Sequence, residues 1–310
     1  MPQSPSMLLP EMTVFERSWL SANNILFHGP GETALVDSGY HSDAPATVER
    51  VAQALGERPL QRLLNTHLHS DHCGGNAALQ ARWSGLHTEI PPDQLAQVRH
   101  WDPVALSYAP TGQYCPPFRA DAVLRPGTQT LLGGRAWQIH AAPGHDPHAI
   151  MLFEPESRIL ISGDALWENG FGVVFPELEG DSGFDEVGQT LAQIERLAPA
   201  TVIPGHGRVF DDVAGALARA HGRLAFFRAN PDKHALHAAK VLLAYKLMEW
   251  KSQDVETAFA WMVQTECFQG VKRRFFADAP TRPWFDALVL ALAEAGALRL
   301  QDGVLHDASR

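Results

Sequence analysis

The chain has 310 residues, 45% of them hydrophobic, a formal net charge of −10 and three cysteines. That size and apolar content suit one large domain, or a large domain with a smaller companion, and Cys73, Cys115 and Cys267 are too few and too scattered for a disulfide framework. There is no apolar run of the roughly 18 residues that a membrane span needs, and the opening MPQSPSMLLPEM lacks the basic stretch and apolar core of a signal peptide, so the cytoplasm is the expected location.

The predicted elements begin with strands at Thr13-Val14-Phe15 and Asn24-Ile25-Leu26-Phe27. After a turn at Gly29-Pro30-Gly31 comes a third, Ala34-Leu35-Val36-Asp37. Residues 44–56 have the spacing of an amphipathic helix closed by Gly56. Leu63-Leu64 is a short strand leading into THLHSDHCGG, which sets His67, His69, Asp71 and His72 within six positions. Three imidazoles and a carboxylate this close are costly to bury unless something binds them. Neutral imidazole and carboxylate together suit a divalent zinc, iron or manganese ion. Cys73, directly after, reads as a small buried residue.

A helix starts between Gly75 and Arg82. Residues 91–119 are Pro-rich and hold Trp101, Tyr108, Tyr114, Cys115 and Phe118. A stretch this long without periodicity predicts a lid or binding loop. Strands follow around Leu131-Leu132 and Ala136 to His140, and residues 183–197 read as a helix. Three further candidate ligands complete the set: His145 in APGHDPHAI, Asp164 after Ile159-Leu160-Ile161, and His206 after Val202-Ile203 in TVIPGHG. Asp164 and His206 each sit where a short apolar run gives way to a Gly-bearing loop, and the His145 loop bears Gly144. Such strand ends are where open α/β architectures present functional groups.

This pattern, over roughly residues 12 to 210, resembles the metallo-β-lactamase superfamily. The resemblance implies an α/β fold, a four-layer αβ/βα sandwich, with a two-metal centre. His67, His69 and His145 would hold the first metal and Asp71, His72 and His206 the second, with Asp164 bridging them. Asp rather than Cys at 164 resembles the glyoxalase II and broad-hydrolase branch. His rather than Glu at 69 is unlike the flavodiiron oxidoreductases, and His206 supplies a ligand that mononuclear-iron persulfide dioxygenases leave unused. One departure is GHDPHA where relatives often read GHTPGH: Ala149 replaces the second histidine, and His148, one place away, reads as a supporting or structural residue.

The chemistry implied is hydrolysis. A water shared by two divalent cations about 3.5–4 Å apart loses a proton near neutral pH and becomes the nucleophile, while the cations polarise the oxygen under attack. Zinc is the first expectation for the two ions, and iron and manganese also suit the donor set. Asp71 is a ligand, a proton acceptor or both, and no Ser or Cys nucleophile is required. A small carbonyl compound, a thioester or lactone, is the expected substrate. Trp167, Phe171 and Phe175, just after Asp164, either line an apolar substrate pocket or pack their loop onto the core.

Charge changes along the chain. Residues 1–220 hold 13 Arg and no Lys against 25 Asp or Glu, whereas residues 221–310 hold 12 Lys or Arg against 10 Asp or Glu. The shift falls near the end of the resemblance and predicts a catalytic domain over 1–215 and a helical C-terminal domain over 216–310. Helices at Ala214 to Arg228, His234 to Trp250 and residues 284–296, then a hairpin with an Asp302-Gly303 turn, predict a small winged-helix-like unit. It would wall the substrate cleft or contact a second copy of the chain. The rival class is a nucleic-acid protein, a phosphodiesterase or a DNA binder using Lys272-Arg273-Arg274. The acidic first domain argues against a polyanionic partner. His221, His234 and His237 read as surface or packing residues.

Overall fold

The computed structural model describes residues 8–29 and 31–309. Pro30, the centre of the predicted turn, and the first seven residues of the opening segment lie outside them. A six-stranded sheet is ordered β1-β2-β3-β4-β5-β6: Met12–Phe15, Asn24–Phe27, Ala34–Val36, Arg62–Leu64, His87–Ile90 and Ala122–Val123. Its first three strands are antiparallel, and β3 to β6 run parallel. A five-stranded sheet is ordered β11-β10-β9-β8-β7: β7 Gln129–Leu132, β8 Arg135–Ala141, β9 Ile150–Glu154, β10 Ile159–Gly163 and β11 Thr201–Pro204. It is antiparallel except for β10 with β11.

Strand alternation decides the layering, because successive side chains point to opposite faces. Ile25, Phe27, Val36 and Leu64 meet Trp137, Ile139, Leu152, Ile159 and Ile161 between the sheets. Their neighbours Leu26, Leu35 and Leu63 face out and lie under α1 (Ala44–Leu55) and α3 (Asn76–Arg82). On the other side Met151, Phe153, Leu160 and Val202 lie under α6 (Gly183–Leu197) and α7 (Val213–Ala229). This is the four-layer αβ/βα sandwich. Each fully buried Leu or Ile contributes roughly 1.5–3 kcal/mol, and a one-residue slip of β10 would turn Leu160 and Ile161 to the wrong layers. α1 ends as predicted at Gly56, whose φ of +61° is a conformation that favours glycine.

The short α2 (Ser70–Cys73) carries Asp71 and His72 of the metal motif, and α4 (Leu95–His100) lies between β5 and β6. Tyr108, Cys115 and Phe118 of the 91–119 stretch are buried with Leu68 and Cys73 in a small core of their own. α5 (Phe175–Glu179) is one turn. Beyond α7 come α8 (Pro231–Trp250), β12 (Ser252–Asp254), α9 (Val255–Gln264), α10 (Glu266–Phe275), α11 (Thr281–Glu294), β13 (Leu298–Gln301) and β14 (Val304–Asp307). The last three strands form an antiparallel sheet ordered β12-β14-β13, with the predicted Asp302-Gly303 turn at positive φ. Two predicted starts move. α8 begins three residues earlier than His234, with Pro231 in its first turn, where a missing N–H costs nothing. α11 begins at Thr281. The buried face of α7 joins the cluster of α6 and β10, whereas α8 to α11 share a second cluster with Val173 and Leu178. Among the described residues no helix is long and apolar enough to cross a membrane.

Candidate metal centre

The seven candidate ligands converge at one end of the sandwich. His67, His69, Asp71 and His72 follow β4, His145 stands between β8 and β9, Asp164 follows β10, and His206 follows β11. Their ligand atoms fall into two groups, His67, His69 and His145 in one and Asp71, His72, Asp164 and His206 in the other, with all atoms in each group within 4.8 Å of one another. His69 Nδ1 lies 2.8 Å from His145 Nε2, and His206 Nε2 lies 3.0 Å from Asp71 Oδ2. Asp164 Oδ1 is 3.4 Å from His72 Nε2.

Glycine makes the convergence possible at two points. A Cβ on Gly205 would fall on Asp164 Oδ1 and close to His72 Cε1, and one on Gly172 would collide with the His145 ring. The backs of the rings are fixed. His145 Nδ1 bonds the Val173 carbonyl, and His72 Nδ1 lies 2.7 Å from Asp37 Oδ2. Asp37 also accepts from Thr66 N and Thr66 Oγ1, both at 2.8 Å. Partners of this kind set the tautomer and leave the other ring nitrogen free to bind.

The electrostatics divide the groups. Burial, then the charges of His72 and His69, hold His67 well below its ordinary pKa. Burial and His69 bring His145 down to about 4. Burial also opposes charge on His72, but the carboxylates of Asp164 and Asp37 outweigh it and carry its pKa well above the usual value. Burial pushes Asp164 and Asp71 up, yet the neighbouring histidines prevail and hold both carboxylates below their ordinary range.

The donor set fits divalent cations. Nε2 of His67 and Nε2 of His72 are buried without a hydrogen-bond partner among the described residues. Orphaned buried nitrogens are costly unless something else engages them. The depressed imidazoles of His67 and His145 and the carboxylates of Asp71 and Asp164 are donors that such ions take.

The groups open on a cleft of about 1700 Å³. Trp167 and Phe175 line it, Phe175 with its ring 5.4 Å from that of His69. Phe171 does not: it is 1% exposed and packs into the cluster under α7, so of the three aromatics it is the packing residue. His148 also lines the cleft, and its backbone N donates to Asp146 Oδ1 at 2.7 Å. The 91–119 stretch contributes Val104 and Gln113, and the C-terminal part contributes Val241, Tyr245 and Val271. Sequence reasoning passed over Asp37, whose Asp-Ser-Gly context reads as a strand-end turn. It also passed over Trp19, which stacks on His206 with ring centroids 5.5 Å apart and planes 9° apart.

With this geometry in place, the class follows. The family model described as the metallo-beta-lactamase superfamily matches residues 17–206. The chain belongs to that superfamily and is a metallo-hydrolase. It is 32% identical over 229 residues to a hydroxyacylglutathione hydrolase of Anaeromyxobacter dehalogenans, covering 73% of this chain and 78% of that one. It is 25% identical over 224 residues to the acyl-coenzyme A thioesterase MBLAC2 of Gallus gallus, covering 63% and 76%. Among solved structures, a metallo-beta-lactamase family protein from Thermus thermophilus shares the fold with a TM-score of 0.59 at 20% identity, covering 96% of this chain and 99% of that one. A beta-lactamase domain protein from Burkholderia ambifaria does so with a TM-score of 0.57 at 22% identity, covering 99% and 96%. Both extend through the C-terminal helices.

Proposed function

We propose that this metallo-hydrolase cleaves thioesters at a two-metal centre. His67, His69 and His145 would hold one divalent cation and Asp71, His72 and His206 the other, with Asp164 placed to serve both and zinc the expected ion. One observation carries the reading: Asp164 Oδ2 lies 3.4 Å from His145 Nε2 and 3.8 Å from His206 Nε2, so a single carboxylate faces both groups. When bound, two such cations supply Lewis acidity and bring the pKa of a water toward neutrality.

The chain's own residues do the rest. Asp71 lies on the cleft side, where its carboxylate would be the acceptor for the proton of the attacking water. Val173 and Asp37 keep His145 and His72 turned with Nε2 inward. Trp167 and Phe175 line the cleft beside the ligand groups, Trp167 against His206 and Phe175 against His69, and give it an apolar wall there. Cys73 is no nucleophile, since burial keeps its thiol well above the ordinary pKa. The relatives named hydroxyacylglutathione hydrolase and acyl-coenzyme A thioesterase support a thioester over a lactone. In this reading residues 1–215, with α7 packed on them as an outer layer, are the catalytic domain, and the rest of 216–310, a winged-helix-like domain, walls its cleft.

The test is a panel of thioesters, lactones, β-lactams and phosphodiesters on metal-replete protein, with elemental analysis of the same sample. Thioesters should give the highest kcat/KM, with about two equivalents of metal. Full activity at one equivalent, or a phosphodiester as best substrate, would overturn the reading.

A further inference from the structure

Arg223 of α7 reaches onto the loop that follows Asp164. Its guanidinium lies 5.7 Å from the Phe171 ring and 5.3 Å from the Phe227 ring. Gly170, at φ +121°, leaves it room: a Cβ there would stand 2.8 Å from Nη1. Nη1 donates to the Asn169 carbonyl at 3.3 Å, and Nη2 donates to His237 Nε2 at 2.7 Å. A guanidinium cannot accept a hydrogen bond, so this imidazole nitrogen is the acceptor and His237 is neutral. Burial, reinforced by the Arg223 charge, brings His237 down to about 3.

The unusual point is what Arg223 lacks. Arg219, one turn before it on α7, pairs with Asp212 at 3.2 Å, and Arg228, further along, pairs with Asp185 at 2.7 Å. Arg223, half-buried between two aromatic rings, has no carboxylate partner among the described residues. Its polar partners are a carbonyl and a neutral ring. A partly desolvated cation without a counter-charge is costly. Yet Arg223 and His237 both line the cleft that contains Asp71 and Asp164. The planar fork of donors in arginine matches an oxyanion better than any other side chain.

We propose that Arg223, flanked by His237, is an anion subsite of this cleft. It receives a carboxylate or phosphate group carried at one end of the substrate while the reacting carbonyl lies at Asp71 and Asp164. The substrates are then anionic acyl compounds, not neutral esters. This rests on the thioester reading above and narrows it.

The test compares wild type with Arg223→Gln, both metal-replete, on two matched pairs. Butyryl- and succinyl-N-acetylcysteamine differ by one carboxylate on the acyl arm. Butyryl-N-acetylcysteamine and butyryl-coenzyme A differ in the phosphate-bearing part of the thiol arm. A hydrogen bond to a charged group is worth about 1.5–3 kcal/mol, so Arg223→Gln should lose roughly 10–100-fold in kcat/KM on the charged member of one pair, chiefly through KM. The neutral member should stay within about threefold and the metal content should not change. The responding pair identifies carboxylate or phosphate, and Arg223→Lys should recover part of the loss. Equal losses on charged and neutral members would mean that Arg223 only ties down Asn169, and would overturn the proposal, as would no loss at all. If wild type cleaves none of these thioesters, the substrate reading fails separately. The subsite is then judged by thermal protection with inorganic phosphate and with succinate: protection of wild type that Arg223→Gln lacks supports it, and any other result overturns it.

Discussion

The indole Nε1 of Trp167 stands 3.1 Å from Oδ1 of Asp164 and donates a hydrogen bond to it. The same ring meets Trp19 and His206 edge-on, with centroids 5.4 and 5.5 Å away. Its backbone is tied by Trp167 N to Gly170 O at 2.7 Å. Trp167 is therefore a positioning residue for the carboxylate that both ligand groups share. Trp167→Phe keeps the ring and removes the donor. It should weaken metal binding by roughly tenfold, at the lower end of what such supporting contacts are worth. A chelator-competition titration reads this directly, and unchanged affinity would show the bond to be idle.

Asp164→Ala should abolish metal-dependent turnover, because it removes a carboxylate that faces both groups. His148→Ala should cost far less, within the ~10–100-fold of a supporting residue at most. The polar contact at His148 is made by its backbone N to Asp146. Steady-state kinetics on any active substrate separate the two. Equal losses would give His148 a role in the reaction that its contacts do not account for.

Asp37→Asn should leave the fold standing and damage the metal site. Asp37 has a φ of +58°, a conformation asparagine tolerates well. An amide, however, offers one acceptor where the carboxylate serves His72 and both Thr66 donors with two. Loss of the His72 partner should lower metal affinity by about 10–100-fold, with a melting curve close to wild type in shape. Wild-type metal content after dialysis against a weak chelator would count against this.

Stability should fall with acid partly through His234. This residue is 1% exposed, and its Nε2 accepts from Val174 N at 3.2 Å. Burial, then the Arg223 charge, bring it down to about 4. In the unfolded chain a histidine titrates near ~6.5. Above that value both states are neutral and the contribution is complete. As pH falls the unfolded chain takes the proton first, and stability is lost until the folded value is reached, on the order of 3 kcal/mol in all. His234→Gln keeps an acceptor but cannot titrate, so urea unfolding between pH 7 and 4 should show a shallower decline. An identical slope would refute this source.

The metal motif was legible because its information is local: single residues at the ends of short apolar runs, with glycine beside them. The α6 helix was legible to the residue because its apolar face repeats without interruption. β9 was passed over: all five of its residues are buried, so alternation gives no signal, and unlike β10 and β11, buried as fully, it does not lead into a candidate ligand. Asp37 was missed for a different reason. Its partner His72 is 35 positions away, and nothing near Asp37 distinguishes a buried carboxylate from a turn residue. Phe171 could not be told from Trp167 and Phe175, because aromatic content alone does not say which side of a loop faces the core. Arg223 reads in sequence as one of several arginines on a helix, and only the places of Asp212 and Asp185 reveal that it is the unpaired one.

Each ligand group draws on both sheets. His67 and His69 come from the first sheet and His145 from the second; Asp71 and His72 come from the first, Asp164 and His206 from the second. Synthesis from the N-terminus therefore sets an order of assembly. The first group is complete once His145 has emerged, while the second waits for His206, after β10 and β11 have both been made. Under the two-cation proposal, a nascent chain would present one complete group of donors before the other, each group spanning the same pair of sheets.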